Sequence, residues 1–144
     1  MGFTAFTTLE VMSYLQNQNP NVFLYEFDHY SAVGRIFEVP GWQPVPHTAE
    51  LPFVLMQKPL WDLARLKNQM TPEDRDIADF FGRVWTNFAR TGIKCNADNE
   101  CPRWNATVMK CNQMPYLEIA AKRRMMPDYR AVDRATILGV SFRI

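Results

Sequence analysis

The clearest pattern of apolar and polar positions lies between residues 71 and 92, where apolar residues recur at helical spacing. Thr71 suits an N-cap, Pro72 the first helical position and Asp74 a capping-box-like position. Gly92 is placed to end the helix in the left-handed conformation. The apolar stripe consists of Ile77, Phe80, Phe81, Val84, Trp85 and Phe88. This pattern predicts an amphipathic helix over residues 71–92.

A short apolar run earlier in the chain suits a strand. Val22–Phe27 is rich in β-branched and aromatic residues and is flanked by turn formers, which predicts a strand buried on both faces. Residues 28–70 then form a long, mostly irregular segment with five prolines, in which short helical turns are expected around residues 59–66. A loop of this length inside a domain is usually functional, and this one carries His47.

Helical spacing also marks both ends of the chain. Residues 8–18 predict a helix with Thr8 as its N-cap. Its inward face would consist of Leu9, Met12 and Leu15. Residues 129–143 predict a last helix, with one face formed by Val132, Ala135, Ile137, Leu138 and Phe142. Between them, residues 116–119 predict a short edge strand or an extended segment.

Length and charge narrow the class of protein. A chain of 144 residues with 47% hydrophobic content fits one ordinary globular domain. The formal charge is +1 and acids and bases are interspersed, so no electrostatic argument favours nucleic acid as a partner. No apolar run approaches the roughly 18–20 residues that span a bilayer. The first residues lack the basic and apolar regions of a secretory signal.

Three cysteines and a glycosylation acceptor lie close together in one polar segment. Because Cys95, Cys101 and Cys111 are odd in number, at least one thiol is left unpaired or bonded to another chain. A small loop closed by Cys95 and Cys101 is favoured, although Cys111 with either partner remains open. Asn105-Ala106-Thr107 is an N-glycosylation acceptor. These features indicate an oxidising, extracytoplasmic origin.

His47 is the main candidate for chemistry, and its own residue context decides little. A lone histidine in a loop is more often a surface or structural residue than a catalytic one. His47 and Glu50 do not form the H-E-x-x-H zinc pattern, and a zinc site needs three or four ligands. The cysteines contain no C-x-x-C pair. The residues therefore predict no metal site and no cofactor.

Several spaced motifs change the interpretation of His47. His47–Val54 reads H-T-A-E-L-P-F-V, and Trp85–Gly92 reads W-T-N-F-A-R-T-G. Phe23–Phe27 reads F-L-Y-E-F, and Trp104-Asn105 is an approximate match to a Trp-Pro motif. In this order the motifs resemble the C-terminal part of the type-B carboxylesterases, the cholinesterase-like branch of the α/β-hydrolases. The resemblance covers roughly residues 10–144.

The resemblance implies an α/β fold and a role for His47. The fold would be a partial α/β-hydrolase fold over residues 1–144, with the C-terminal strands and helices and without the N-terminal sheet and nucleophile elbow. His47 would be the general base of a serine triad, and Glu50 would support its loop. The parent enzyme would hydrolyse a small-molecule carboxylic ester, work outside the cell or in the secretory pathway, and form a homodimer through C-terminal helices.

The chain also departs from the family pattern. No G-x-S-x-G nucleophile motif occurs, and the Gly-rich oxyanion segment and the region of the triad acid are absent. Thr48 stands where the family has glycine, which bears on the conformation of the loop. We therefore expect a fragment of a serine carboxylic-ester hydrolase that is inactive alone. The alternative is a non-catalytic interaction or adhesion module of the neuroligin-like type.

Overall fold

The described residues form five helices and three strands. The structure, a computed structural model, describes residues 2–35, 37–92, 104–109 and 113–141. Its elements are α1 (Gly2–Gln16), β1 (Tyr25–Phe27), α2 (Leu51–Val54), α3 (Lys58–Leu66), α4 (Pro72–Thr91), β2 (Tyr116–Ile119), β3 (Arg124–Met126) and α5 (Ala131–Ser141). No helix within the described ranges is long and apolar enough to cross a bilayer.

The described residues divide into two compact units. The first unit contains the residues up to Glu26, residues 104–117 and those from Arg124 onward. The second unit contains Phe27–Gly92 and Glu118–Arg123. The second unit carries His47 and the helices α2, α3 and α4 that follow it.

The three strands form one sheet in the order β1-β2-β3. The amide of Leu117 donates to the Leu24 carbonyl at 2.9 Å, and the amide of Asp28 donates to the Ile119 carbonyl at 2.9 Å. Both pairings advance in the same direction, so β1 and β2 are parallel. The prediction that residues 116–119 form an edge strand is wrong, because β3 pairs on the other side. The three residues of β3 have no alternating apolar pattern, so the sequence did not predict this strand.

The core of the first unit is built from α1 and the extended chain before β1. It comprises Val11, Val22, Leu24, Met114 and Tyr116. α1 begins well before residue 8, so the predicted N-cap at Thr8 is wrong, and this side chain is buried in mid-helix. Met12 and Leu15 pack against the core as predicted. Leu9 is 49% exposed, which corrects the predicted inward face.

The predicted strand at residues 22–27 is shorter in the structure, because a side chain interrupts its pairing. Only Tyr25–Phe27 forms β1. Upstream, the Leu24 amide donates to the hydroxyl of Thr107 at 3.2 Å, and the Thr107 amide donates to the Val22 carbonyl at 2.7 Å. Val22 and Leu24 are buried, as expected, but outside a regular strand.

The long helix α4 confirms the sequence prediction. The Thr71 hydroxyl accepts a hydrogen bond from the Asp74 amide at 3.3 Å, and the Asp74 carboxylate accepts one from the Thr71 amide at 2.7 Å. Gly92 closes the helix with φ of +69°. The stripe is buried at Ile77, Phe80, Phe81 and Val84, whereas Phe88 is 44% exposed.

The prediction of a last helix is confirmed, since α5 covers Ala131–Ser141. Val132 is 80% exposed and Ala135 is also exposed, so these two apolar residues of the predicted face lie toward solvent. Arg134 is buried instead and forms an ion pair with Asp128. A charged residue can be buried here because it is paired with an acid, which is itself only 23% exposed. Phe142 lies outside the described residues.

Candidate functional site

The side chain of His47 is exposed at the start of a tight turn that leads into α2. The amide of Ala49 donates to the carbonyl of Pro46 at 3.1 Å, which closes the turn. Ala49 is 3% exposed and Phe53, in α2, is 1% exposed. The imidazole is therefore presented to solvent by a turn whose next residues are anchored in the core.

The residue after His47 has a strained backbone. Thr48 adopts φ of +73°, the left-handed region that favours glycine. A β-branched residue is a genuine outlier there, at a cost of about 1–3 kcal/mol. The backbone at this position therefore has the conformation that glycine prefers, although the β-branched side chain of Thr48 disfavours it.

Replacing Thr48 with glycine is expected to stabilise the protein by about 0.5–1 kcal/mol, because relief of strain exceeds the added entropy of the unfolded glycine. The free energy of unfolding in urea measures this effect. Thr86→Gly, in the exposed part of α4, is the matched control and should cost about 0.3–0.5 kcal/mol, because threonine is itself a weak helix former. If both variants lost stability equally, Thr48 would carry no strain.

Glu50 occupies the N-cap position of α2. Its backbone is helical, with φ of −77° and ψ of −25°, and its side chain makes no capping hydrogen bond. Its carbonyl oxygen accepts hydrogen bonds from the amides of Phe53 and Val54, both at 3.0 Å. The backbone of Glu50 thus begins α2, while its role in supporting the His47 loop stays a prediction.

A second turn packs directly against the histidine turn. The Ser31 hydroxyl accepts a hydrogen bond from the Val33 amide at 3.0 Å. A Cβ atom placed on Gly34 would lie 2.5 Å from the carbonyl oxygen of Ala49 and 3.3 Å from a ring carbon of Phe53. Only a glycine leaves room for this approach. The turn at residues 31–35 therefore braces the turn that carries His47.

A buried acid joins these elements, and sequence reasoning missed its partner. Asp74 Oδ1 lies 2.8 Å from His29 Nε2, and the two side chains are 0% and 9% exposed. Burial alone would raise the pKa of Asp74, but hydrogen bonds from His29, Ser31 and the Thr71 amide hold that pKa below its usual value. The capping-box position of Asp74 was visible in the sequence, whereas its contact with His29, 45 residues away, was not.

The lowered pKa of Asp74 predicts acid sensitivity. The native pKa lies below the unfolded value of about 3.9, so in that range the unfolded chain binds more protons than the native chain. The stabilising effect of Asp74 is therefore present above the unfolded pKa and is lost as the pH falls through the native pKa. Urea unfolding from neutral to acid pH should show the stability difference between the wild type and Asp74→Asn shrinking. A difference independent of pH would contradict this account.

The His29–Asp74–Ser31 cluster is not a second triad. In a catalytic relay the imidazole lies between the acid and the hydroxyl. Here the Asp74 carboxylate lies between His29 and Ser31, and the Ser31 hydroxyl is engaged with Asp74 and the Val33 amide. The cluster therefore orders the fold. Within the described ranges, no three His, Cys, Asp or Glu side chains are grouped to hold a metal ion.

The residues that line an open cavity of about 730 Å³ precede His47 in the sequence. It is lined by Tyr30, Arg35, Glu38, Val39, Pro40, Gly41, Trp42 and Gln43. Gly41, with φ of +76°, completes a tight turn in which the Trp42 amide donates to the Val39 carbonyl at 3.1 Å. This turn leaves Trp42 61% exposed, while Arg35 is paired with Glu38. The cavity thus has an aromatic rim and a neutralised charge.

Comparison with known proteins decides the family. The sequence model described as "Carboxylesterase family" matches residues 2–136, nearly the whole chain. The chain belongs to the carboxylesterase family. The resemblance drawn from the spaced motifs is thereby confirmed.

Relatives and solved structures agree with this assignment. Carboxylesterase 3B of Mus musculus is 32% identical over 121 residues, which cover 81% of this carboxylesterase chain and 20% of that protein. Acetylcholinesterase of Bungarus fasciatus is 33% identical over 87 residues, covering 60% of this chain and 13% of that protein. A thermophilic PNB esterase structure has a TM-score of 0.59 and 26% identity over 81% of this chain and 22% of its own. The chain thus spans a fifth or less of these curated relatives, and its sheet and helices are consistent with part of an α/β-hydrolase fold.

The remaining predicted residues of this carboxylesterase chain lie in its first unit or outside the described ranges. Asn105 is exposed, as a glycan acceptor must be. Thr107 of the same acceptor sequence is fully buried, and its hydroxyl donates to the Pro115 carbonyl at 3.0 Å. Trp104 is buried and donates from Nε1 to the Leu24 carbonyl at 3.1 Å. The predicted pairing of Cys95 with Cys101, and Cys111 as well, lies outside the described residues.

Proposed function

We propose that this chain supplies the histidine turn of a serine carboxylic-ester hydrolase, with His47 as the general base. Two observations carry the proposal. The imidazole is exposed on a turn that is in close contact with the turn at residues 31–35, and the chain belongs to the carboxylesterase family. A base must reach the reacting hydroxyl in a fixed orientation, which requires a rigid support and an open approach. The His47 turn supplies both.

In this reaction His47 accepts the proton of the attacking serine and later delivers it to the leaving alkoxide. The substrate class would be small-molecule carboxylic esters. The serines of this chain, Ser13, Ser31 and Ser141, do not stand in a G-x-S-x-G motif. The nucleophile and the triad acid must therefore come from outside these 144 residues, and the chain alone should hydrolyse esters at the background rate.

We infer that the parent protein enters the secretory pathway. An exposed Asn105 favours glycosylation, and three nearby cysteines favour an oxidising compartment. Because the hydroxyl of Thr107 is buried and hydrogen-bonded, the acceptor sequence is accessible only before the chain folds. A glycan at Asn105 would therefore be added during synthesis.

The native protein can be tested directly. An antibody raised against residues 93–115 would isolate it, and its mass would be compared with the 16.8 kDa of this chain. A larger species that reacts with a fluorophosphonate, a reagent for activated serines, would support the hydrolase proposal. A larger species that does not react would favour a non-catalytic role, and a 16.8 kDa species would show that no G-x-S-x-G serine is supplied in the same chain. A mass change on enzymatic deglycosylation would test Asn105.

A further inference from the structure

Two segments pack against the His47 turn or the helix that follows it, and one buried carboxylate is hydrogen-bonded to a side chain of each. Asp74 lies at the start of α4 and is fully buried. Besides capping its own helix, it accepts hydrogen bonds from the side chains of His29 and Ser31. A cap alone requires only the contacts with Thr71. The two additional contacts lead away from α4 and toward the histidine turn.

The first support runs through His29. With Nε2 held 2.8 Å from Asp74, the imidazole makes a T-shaped contact with Phe53, with ring centroids 5.9 Å apart and an interplanar angle of 76°. Phe53 is a member of α2, the helix that the His47 turn begins. The Asp74–His29 contact therefore fixes a wall against which α2 packs.

The second support runs through Ser31. Its hydroxyl bonds to Asp74 and accepts from the Val33 amide at 3.0 Å, so the turn at residues 31–35 is fixed by the same acid. Gly34, within that turn, approaches the Ala49 carbonyl so closely that a Cβ would lie 2.5 Å from it. Ala49 is two residues from His47. A shift of Ser31 is therefore transmitted to the histidine turn by direct backbone contact.

We propose that Asp74, acting through His29 and Ser31, is a positioning residue for His47. The carboxylate touches no reacting atom; it fixes the two surfaces on which the histidine turn rests. The proposal depends on the proposed role of His47, because positioning matters only if that imidazole transfers a proton. Misplacing a catalytic group by about 1 Å can cost up to 10²-fold in rate.

The test uses the native esterase, three variants around Asp74 and the variant His47→Gln. Ser31→Ala removes one support and Asp74→Asn weakens both, so each should lower kcat about tenfold or more while KM changes less than about twofold. Thr71→Ala is the matched control, because it loses only the bond from the Asp74 amide to the Thr71 hydroxyl and costs about 1 kcal/mol of stability. Its kcat per folded molecule should equal that of the wild type. The amide NMR shifts of Thr48 and Ala49 in the 144-residue chain give a second readout.

Each outcome decides the matter. A loss of kcat with a shifted Ala49 amide in Ser31→Ala and Asp74→Asn, but not in Thr71→Ala, supports the proposal. If all three variants kept wild-type kcat per folded molecule, Asp74 would be a helix cap only and the proposal would be overturned. If His47→Gln itself left turnover unchanged, the proposed function would fail, and the positioning role with it. The His47 variant therefore separates the two failures.

Discussion

Replacing His47 with glutamine in the native protein is expected to lower kcat for ester hydrolysis by about 10²–10⁴-fold. Glutamine keeps a polar side chain of similar length but cannot accept and release a proton near neutral pH. Because the His47 side chain is exposed, the fold should survive the substitution. Thermal unfolding of the variant should therefore match the wild type while its turnover does not. Steady-state kinetics with a chromogenic ester gives the measurement.

The matched control for that experiment is a polar substitution at another exposed position of the same unit. Asp79→Asn, on the outer face of α4, removes one charge and touches neither turn. Its kcat should remain that of the wild type. If His47→Gln retained full turnover with an intact fold, the general base would have to be another residue, and the family's pattern would not apply to this chain.

The elements that local rules determine were predictable from the sequence. The helix over residues 71–92 was readable because its cap, apolar stripe and terminal glycine lie within the segment itself. The helical turns around residues 59–66 were also found, since α3 covers Lys58–Leu66. The position of His47 in a loop was equally a local matter.

The elements that depend on distant partners were not predictable. The strand at residues 116–119 is central because β3 lies beside it, and nothing within those four residues reveals the neighbour. Regular strand pairing does not extend upstream of β1 because the Leu24 amide bonds to the Thr107 hydroxyl, and the two residues are 83 positions apart in the sequence. The acid that holds the site together was recognised only as a cap, because its bonds to His29 and Ser31 appear only after folding. Local sequence signals therefore predicted the loop and its histidine, whereas the side-chain contacts that hold the loop depend on tertiary packing.

Gly34→Ala, at a buried position of the turn at residues 31–35, is expected to destabilise the protein. The new Cβ would lie 2.5 Å from the Ala49 carbonyl oxygen, a backbone atom that cannot rotate away. Separating the two turns to admit it should cost about 1–3 kcal/mol of unfolding free energy. Because Ala49 moves with the turn, kcat of the native esterase should fall as well.

Gly82→Ala provides the opposite control. Gly82 lies within α4, and a Cβ there would meet nothing within 4 Å. Alanine favours a helix over glycine by about 1 kcal/mol, so this variant should be more stable than the wild type. The same chemical change would then act in opposite directions at two positions, and urea unfolding would show both. If Gly34→Ala were as stable as Gly82→Ala, the two turns would not be in contact, and the brace beneath His47 would have no physical basis.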